Sequence, residues 1–138
     1  PSLAASLVAG TLKIAGSGNQ ATLSTNAATE TLTATDSNRI TVCTRTSTTQ
    51  VFTLPIAAVG LVYQFVTTSA ASEVLVNPGN ITDVFHIKAT NDGASVVTAA
   101  GVGIKNTAAT NVVGDSIWLV GVVGMWISLG QSGIWASQ

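Results

Sequence analysis

Residues 116–122 read Ser-Ile-Trp-Leu-Val-Gly-Val, and this stretch indicates the fold class more directly than any other. Its apolar side chains repeat with a period of two, which is typical of a β-strand and not of a helix. Ile117 and Leu119 are predicted to face one side of the strand, and Trp118 the other. Because Gly124 follows two residues later and accepts a positive φ, we predict that this strand ends in a turn.

The same alternation recurs along the chain, in Arg39–Thr44, Leu61–Val66 and Val84–Ala89. Residues that favour turns separate these runs at intervals of about 8–12 residues, a spacing typical of sandwiches and barrels. The composition agrees, because Thr, Val and Ile occur 20, 17 and nine times in 138 residues. Such β-branched residues lose side-chain freedom in helices and pack well on a pleated sheet.

We therefore predict an all-β, single-domain protein, an antiparallel β-sandwich that covers residues 1–138. A chain of this length buries enough surface to fold without a disulfide or a metal. Residues 1–18 are apolar, small and nearly uncharged, so we expect an extended N-terminal arm that lies on another protein. An ordinary first or edge strand of the sandwich is the alternative for the same segment.

Charged residues are scarce: five Lys or Arg and six Asp or Glu give a formal net charge of -1. Five scattered cations cannot form the basic face of a nucleic-acid-binding protein or of an interfacial membrane helix. Two long stretches, Thr46–Ser72 and Ser116–Gln138, carry no charge at all. Because charge keeps small domains apart in solution, we expect this protein to work against other chains and not as a free monomer.

Groups that carry out chemistry are equally scarce. Cys43 and His86 are the only cysteine and histidine, too few for a zinc site, and Cys43 is predicted to be a small buried residue of a strand. Ser72, Asp83 and His86 lack the nucleophile elbow that would support a catalytic triad. We predict no catalytic residue, no metal, no cofactor and no small-molecule substrate, and hence no enzyme.

The three tryptophans lie within the last 21 residues, at Trp118, Trp126 and Trp135. Large rings usually serve the core, because each one removes much apolar area from water. A contact with another protein chain is the second interpretation. Stacking on a sugar, as in a carbohydrate-binding sandwich, is the third.

The C-terminal pattern resembles structural proteins of tailed-phage virions. A strand opened by Gly114-Asp115 leads to a hairpin whose second strand carries Trp126, and Gly133-Ile134-Trp135 closes the domain. Upstream, Thr53-Leu54-Pro55 precedes a bend of small residues and then an aromatic strand. Together these pieces cover about 60% of the chain, and they are most similar to head decoration, or cement, proteins.

This resemblance implies a jelly-roll-like sandwich, located on the outer face of a phage capsid and assembled in the host cytoplasm. The implied partners are the major capsid protein and further copies of the same chain, as a homodimer or homotrimer, with neither nucleic acid nor a membrane. The implied role is to stabilise the junctions between capsomers. Two alternatives remain open: a subunit of the tail or fibre, and a carbohydrate-binding β-sandwich module.

The hairpin from Gly121 to Trp126 departs from the family pattern, because valines occupy its tip where polar residues are usual. An apolar tip needs cover, from the same chain, from a second copy or from a capsid subunit. We therefore predict a protein interface that involves the hairpin and the N-terminal arm; its residues are Val122, Val123, Met125, Trp126, Leu3, Leu7 and Val8.

Overall fold

The structure, a computed structural model, describes residues 22–88 and 95–138. This part of the chain is almost entirely β, with one 3-10 turn at Ala34–Asp36, so the all-β prediction is confirmed. The strands are β1 Thr22–Thr25, β2 Thr29–Thr31, β3 Arg39–Cys43, β4 Gln50–Thr53, β5 Val62–Thr67, β6 Val74–Asn77, β7 Val84–Ile87, β8 Val96–Val97, β9 Ile104–Asn106, β10 Ser116–Val122, β11 Met125–Ser132 and β12 Trp135–Ser137.

These strands form two sheets that pack face to face, which confirms the predicted sandwich. The larger sheet has the order β1-β3-β5-β10-β11-β7-β8, and the smaller has the order β12-β9-β6-β4-β2. Their inner faces share one core, in which the rings of Phe52 and Phe65, from opposite sheets, lie 5.0 Å apart. Trp126 and Trp135 are both buried in this core, as the first interpretation of the tryptophans predicted.

Strand pairing differs from the antiparallel, jelly-roll-like arrangement that we expected. The first six described strands alternate between the sheets, and each of the first four pairs in parallel with the strand two positions later, which forms a two-sheeted coil. Strand β10 then pairs antiparallel with β5, and β9 pairs antiparallel with β6, so the parallel pairing ends at these two strands. Side-chain alternation is the same in parallel and antiparallel strands, so the sequence pattern could not distinguish them.

The predicted alternation is confirmed, although one strand has the unexpected side facing inward. Ile117 and Leu119 are buried and Trp118 is exposed, as the pattern of β10 requires. In β3, however, the polar Thr41 and the small Cys43 face the core, and the apolar residues between and before them face outward. The outer face of the larger sheet is consequently more apolar than composition alone suggests.

The two ends of the C-terminal pattern meet in space around one buried carboxylate. Asp115, 3% exposed, accepts hydrogen bonds from the Asn106 side-chain Nδ2 and the Val112 backbone N–H, each at 3.0 Å. Gly133 has φ +79°, and a Cβ at this position would overlap the Asp115 carboxylate. A glycine is therefore required there both by the backbone conformation and by the neighbouring side chain.

Candidate interaction surface

Two of the three residues considered for catalysis, Ser72 and Asp83, have structural roles. Ser72 donates its hydroxyl hydrogen to the Thr48 carbonyl, and Asp83 accepts from the backbone of the loop that precedes β5. His86 lies on the outward side of β7, away from the core. Within residues 22–88 and 95–138, no three His, Cys, Asp or Glu residues are grouped so that they could hold a metal ion.

Cys43 is buried as predicted. Only 2% of its surface is exposed, and burial raises the pKa of its thiol to about 12. A thiol that stays protonated is a poor nucleophile and a poor metal ligand. Among the described residues, no helix is long and apolar enough to span a bilayer.

Exposed apolar side chains gather instead at one end of the sandwich, where three loops meet. The loops join β4 to β5, β6 to β7 and β10 to β11. We name this surface the apolar end and define it by four side chains, whose exposed fractions are 60% for Ile56, 76% for Val59, 83% for Ile81 and 84% for Val123.

Close backbone packing holds the three loops against one another. Gly79 lies so near the Leu54–Pro55 backbone that a Cβ would overlap it, and Gly121 lies equally close to the Ala58 carbonyl oxygen. The Val84 N–H also donates to the carbonyl of Gly124 at 3.2 Å, which ties the hairpin to the start of β7. Side chains larger than hydrogen at these glycines would push the loops apart.

Asp83 fixes the same end from beneath. Its carboxylate, 1% exposed, accepts from the Ala57 N–H at 2.8 Å, and its backbone N–H donates to Asn80 at 3.1 Å. Its carbonyl accepts from the Gly101 N–H at 2.9 Å, which adds the loop before β9. The loops are therefore ordered before any partner arrives, so little conformational entropy remains to be lost on binding.

The apolar end also exposes no charge. The three loops comprise residues 54–61, 78–83 and 123–124, and their one charged residue is Asp83, whose carboxylate is buried. The large exposed side chains are aliphatic, so contact with another protein would be driven by removal of apolar area from water and would depend little on salt.

The residues predicted for an interface have separate locations in the structure. Val123 is the most exposed side chain of the apolar end, while Val122 and Met125 are half-buried and face outward on the larger sheet. The prediction for Trp126 is wrong. Its ring is fully buried and contacts Tyr63 edge to face at 5.5 Å, with space provided by the absent side chain of Gly121.

Three residues predicted from the N-terminal arm, Leu3, Leu7 and Val8, lie outside the described residues. Sequence reasoning missed Ile56, Val59 and Ile81, which only the fold brings beside the hairpin. The available signal was the uncharged stretch 46–72, in which Ile56 directly follows Pro55.

A second feature lies at the centre of the larger sheet's outer face. Trp118, on the middle strand of seven, is 42% exposed. Beside it is a hollow of about 280 Å³, lined in part by Gln64, Ser116 and Gly130. Trp118 pairs with Gly130 on β11, and a Cβ at Gly130 would meet no atom within 4 Å, so the missing side chain leaves the hollow open.

Comparisons of the chain with protein-family models, with curated proteins and with solved structures find no match.

Proposed function

We propose that this protein is a virion structural protein that decorates a tailed-phage head as a cement protein. It binds the outer surface of the shell of major capsid protein and stabilises the junctions between capsomers. One observation carries the proposal: the sandwich presents an ordered apolar end whose large exposed side chains are aliphatic and uncharged. The resemblance of the C-terminal pattern to head decoration proteins points the same way.

The apolar end is large enough to contribute substantially to docking. Burying a whole Val or Ile side chain contributes about 1.5–3 kcal/mol, so covering the exposed parts of these four residues contributes roughly 4–9 kcal/mol. Association costs about 4–15 kcal/mol of lost translational and rotational freedom. A single copy held by this end alone is therefore bound weakly, and stable occupancy needs more than one point of attachment to the repeating shell.

A cement role also fits the absence of charge from this surface. Contacts between aliphatic groups persist at high ionic strength, whereas contacts between exposed charges are screened. We expect binding to the shell to resist salt and to weaken on cooling, because hydrophobic association weakens at low temperature.

The test is to mix the purified protein with phage heads that lack it and to measure bound copies by sedimentation and gel. Val123→Asp and Ile81→Asp should each abolish binding, since each places a charge in the docked surface. Val113→Asp is the matched control, because Val113 is also an exposed valine, 67% exposed, but precedes β10 at the opposite end. It should bind as well as the wild type.

Equal binding by all variants, or release of the wild type by molar salt, would contradict the proposal. Native virions give a second check. After tails are removed, the polypeptide should stay with the heads in hundreds of copies. A few copies, or loss together with the tails, would reject a cement role.

A further inference from the structure

The outer face of the larger sheet is apolar at its centre and carries no covering layer in the described sandwich. Its central strands β5, β10 and β11 contain no Asp, Glu, Lys or Arg. Cross-strand register places Val62, Val66, Trp118, Val120 and Ile127 together on this face, with the uncharged polar residues Gln64 and Ser116 among them. The smaller sheet differs, because Thr29, Thr53, Asn77 and Lys105 interrupt its outer face.

Two features beside each other make this face complementary to itself. Trp118 projects from the middle strand with 42% of its surface exposed, and the hollow left by Gly130 adjoins it. We call Trp118 the knob and the hollow beside Gly130 the hole. When two copies meet about a twofold axis that passes between the two features, the knob of each copy contacts the hole of the other. Each Trp118 then enters the hollow of the other copy.

We propose that two copies of this chain associate face to face through their larger sheets, with Trp118 of each copy seated beside Gly130 of the other.

The twofold axis runs parallel to the strands, between β10 and β11, because an axis there places Trp118 on β10 of one copy over Gly130 on β11 of the other. In that orientation β7 lies opposite β5 of the second copy, and β5 contains no Asp, Glu, Lys or Arg. An axis perpendicular to the strands would set β10 against β10, so Trp118 would not reach Gly130. The positions of these two residues therefore select one orientation of the two sheets.

The available area is sufficient for a dimer of modest affinity. Five strands spaced about 4.8 Å apart and about 20 Å long give a face of roughly 500 Å² per copy. Two such faces bury about 1,000 Å², the lower limit for a specific protein interface. We therefore expect a dimer that dissociates on dilution, with a central tryptophan of the kind that dominates binding in such interfaces.

This inference does not depend on the cement role, since it uses a different surface. The apolar end contacts a partner at one end of the sandwich, whereas the dimer uses the side. A dimer would nonetheless supply the second point of attachment that docking through the apolar end requires.

The test is sedimentation velocity of the full chain over about 1–200 μM, with circular dichroism to verify folding. The wild type should shift from monomer to dimer over this range. Trp118→Ala removes the knob, and Gly130→Val narrows the hole at a position where nothing lies within 4 Å of the new Cβ. Both variants should remain folded and monomeric, at least tenfold weaker in association than the wild type.

Ile81→Asp is the control that separates this inference from the proposed function. It should lose binding to phage heads and still dimerise, because Ile81 lies in the loop between β6 and β7 and not on the sheet face. A wild type that stays monomeric at 200 μM, or forms trimers, overturns the inference. So does dimerisation that survives both Trp118→Ala and Gly130→Val, or a monomer whose tryptophan fluorescence is quenched by a soluble neutral oligosaccharide.

Discussion

Replacement of Asp115 by alanine should destabilise the protein more than any other single change to a carboxylate among the described residues. The carboxylate is 3% exposed and accepts two hydrogen bonds, from Asn106 Nδ2 and from the Val112 N–H. Hydrogen bonds to charged groups contribute about 1.5–3 kcal/mol each, and donors left without acceptors inside a protein cost about 1–3 kcal/mol. Because the Val112 N–H is only partly buried, we expect Asp115→Ala to lower the free energy of unfolding by about 3–4 kcal/mol.

Asp115→Asn is the matched variant. Its amide oxygen can take the place of Oδ2, which accepts both bonds, so the geometry survives and only the charge is lost. We expect this change to cost about 1–1.5 kcal/mol. Arg39→Ala serves as a control on the surface, since it removes a partly exposed ion pair with Asp36 that should contribute at most about 1 kcal/mol.

The measurement is urea denaturation followed by tryptophan fluorescence and circular dichroism, with the m-value checked for constancy. Two-state domains have about 5–15 kcal/mol of stability, so a loss of 4 kcal/mol leaves a measurable folded baseline. If Asp115→Ala and Asp115→Asn differ by less than about 0.5 kcal/mol, the reasoning about these two hydrogen bonds is refuted.

Gly133→Ala tests the same contact from the other side. The new Cβ would overlap the Asp115 carboxylate and would occupy a backbone with φ +79°. In the Asp115→Ala background the overlap disappears and only the backbone strain remains. The two changes should therefore be less than additive, with a coupling of at least about 1 kcal/mol. Additive effects would show that the two residues do not oppose each other.

Two further predictions concern titratable groups in the core. Cys43, whose thiol has its pKa raised to about 12 by burial, should react with a thiol reagent at pH 8 only after urea unfolds the protein; rapid reaction of the native protein would contradict its position. Burial, and secondarily the charge of Asp36, raise the pKa of Tyr63 to about 12. The stability contributed by the protonated hydroxyl is therefore complete below pH 10 and is lost as the pH rises through 12, so between pH 9 and pH 11 the wild type should lose more stability than Tyr63→Phe. Equal losses in urea titrations would refute this assignment.

The local alternation of side chains in the sequence was sufficient to predict most of the fold class. The period of two in β10 and β7 reappears as alternating buried and exposed residues, because successive side chains of any strand point to opposite faces. Turn residues were equally informative, since Gly124 adopts the positive φ that a tight hairpin requires. Pairing direction was not predictable, because parallel and antiparallel strands share that alternation.

The interaction surface was likewise predictable from the sequence only in part. An apolar hairpin tip could be read from the sequence, and Val123 is indeed 84% exposed. Trp126 stands three residues along the chain, yet only the register with Gly121 on the neighbouring strand decides that its ring points inward. Ile56 and Ile81 are far from the hairpin in sequence and join it through backbone contacts that no local pattern records.

By itself, then, the sequence determined that the chain is β, that it is nearly uncharged, and where it lacks charge. Which apolar residues are core and which are surface was decided by the tertiary structure. The physical reason is that a side chain on one sheet is buried only where the other sheet packs over it. A valine on a strand faces the core or the outside according to which side the other sheet covers, and that choice is made by contacts between residues distant in the chain.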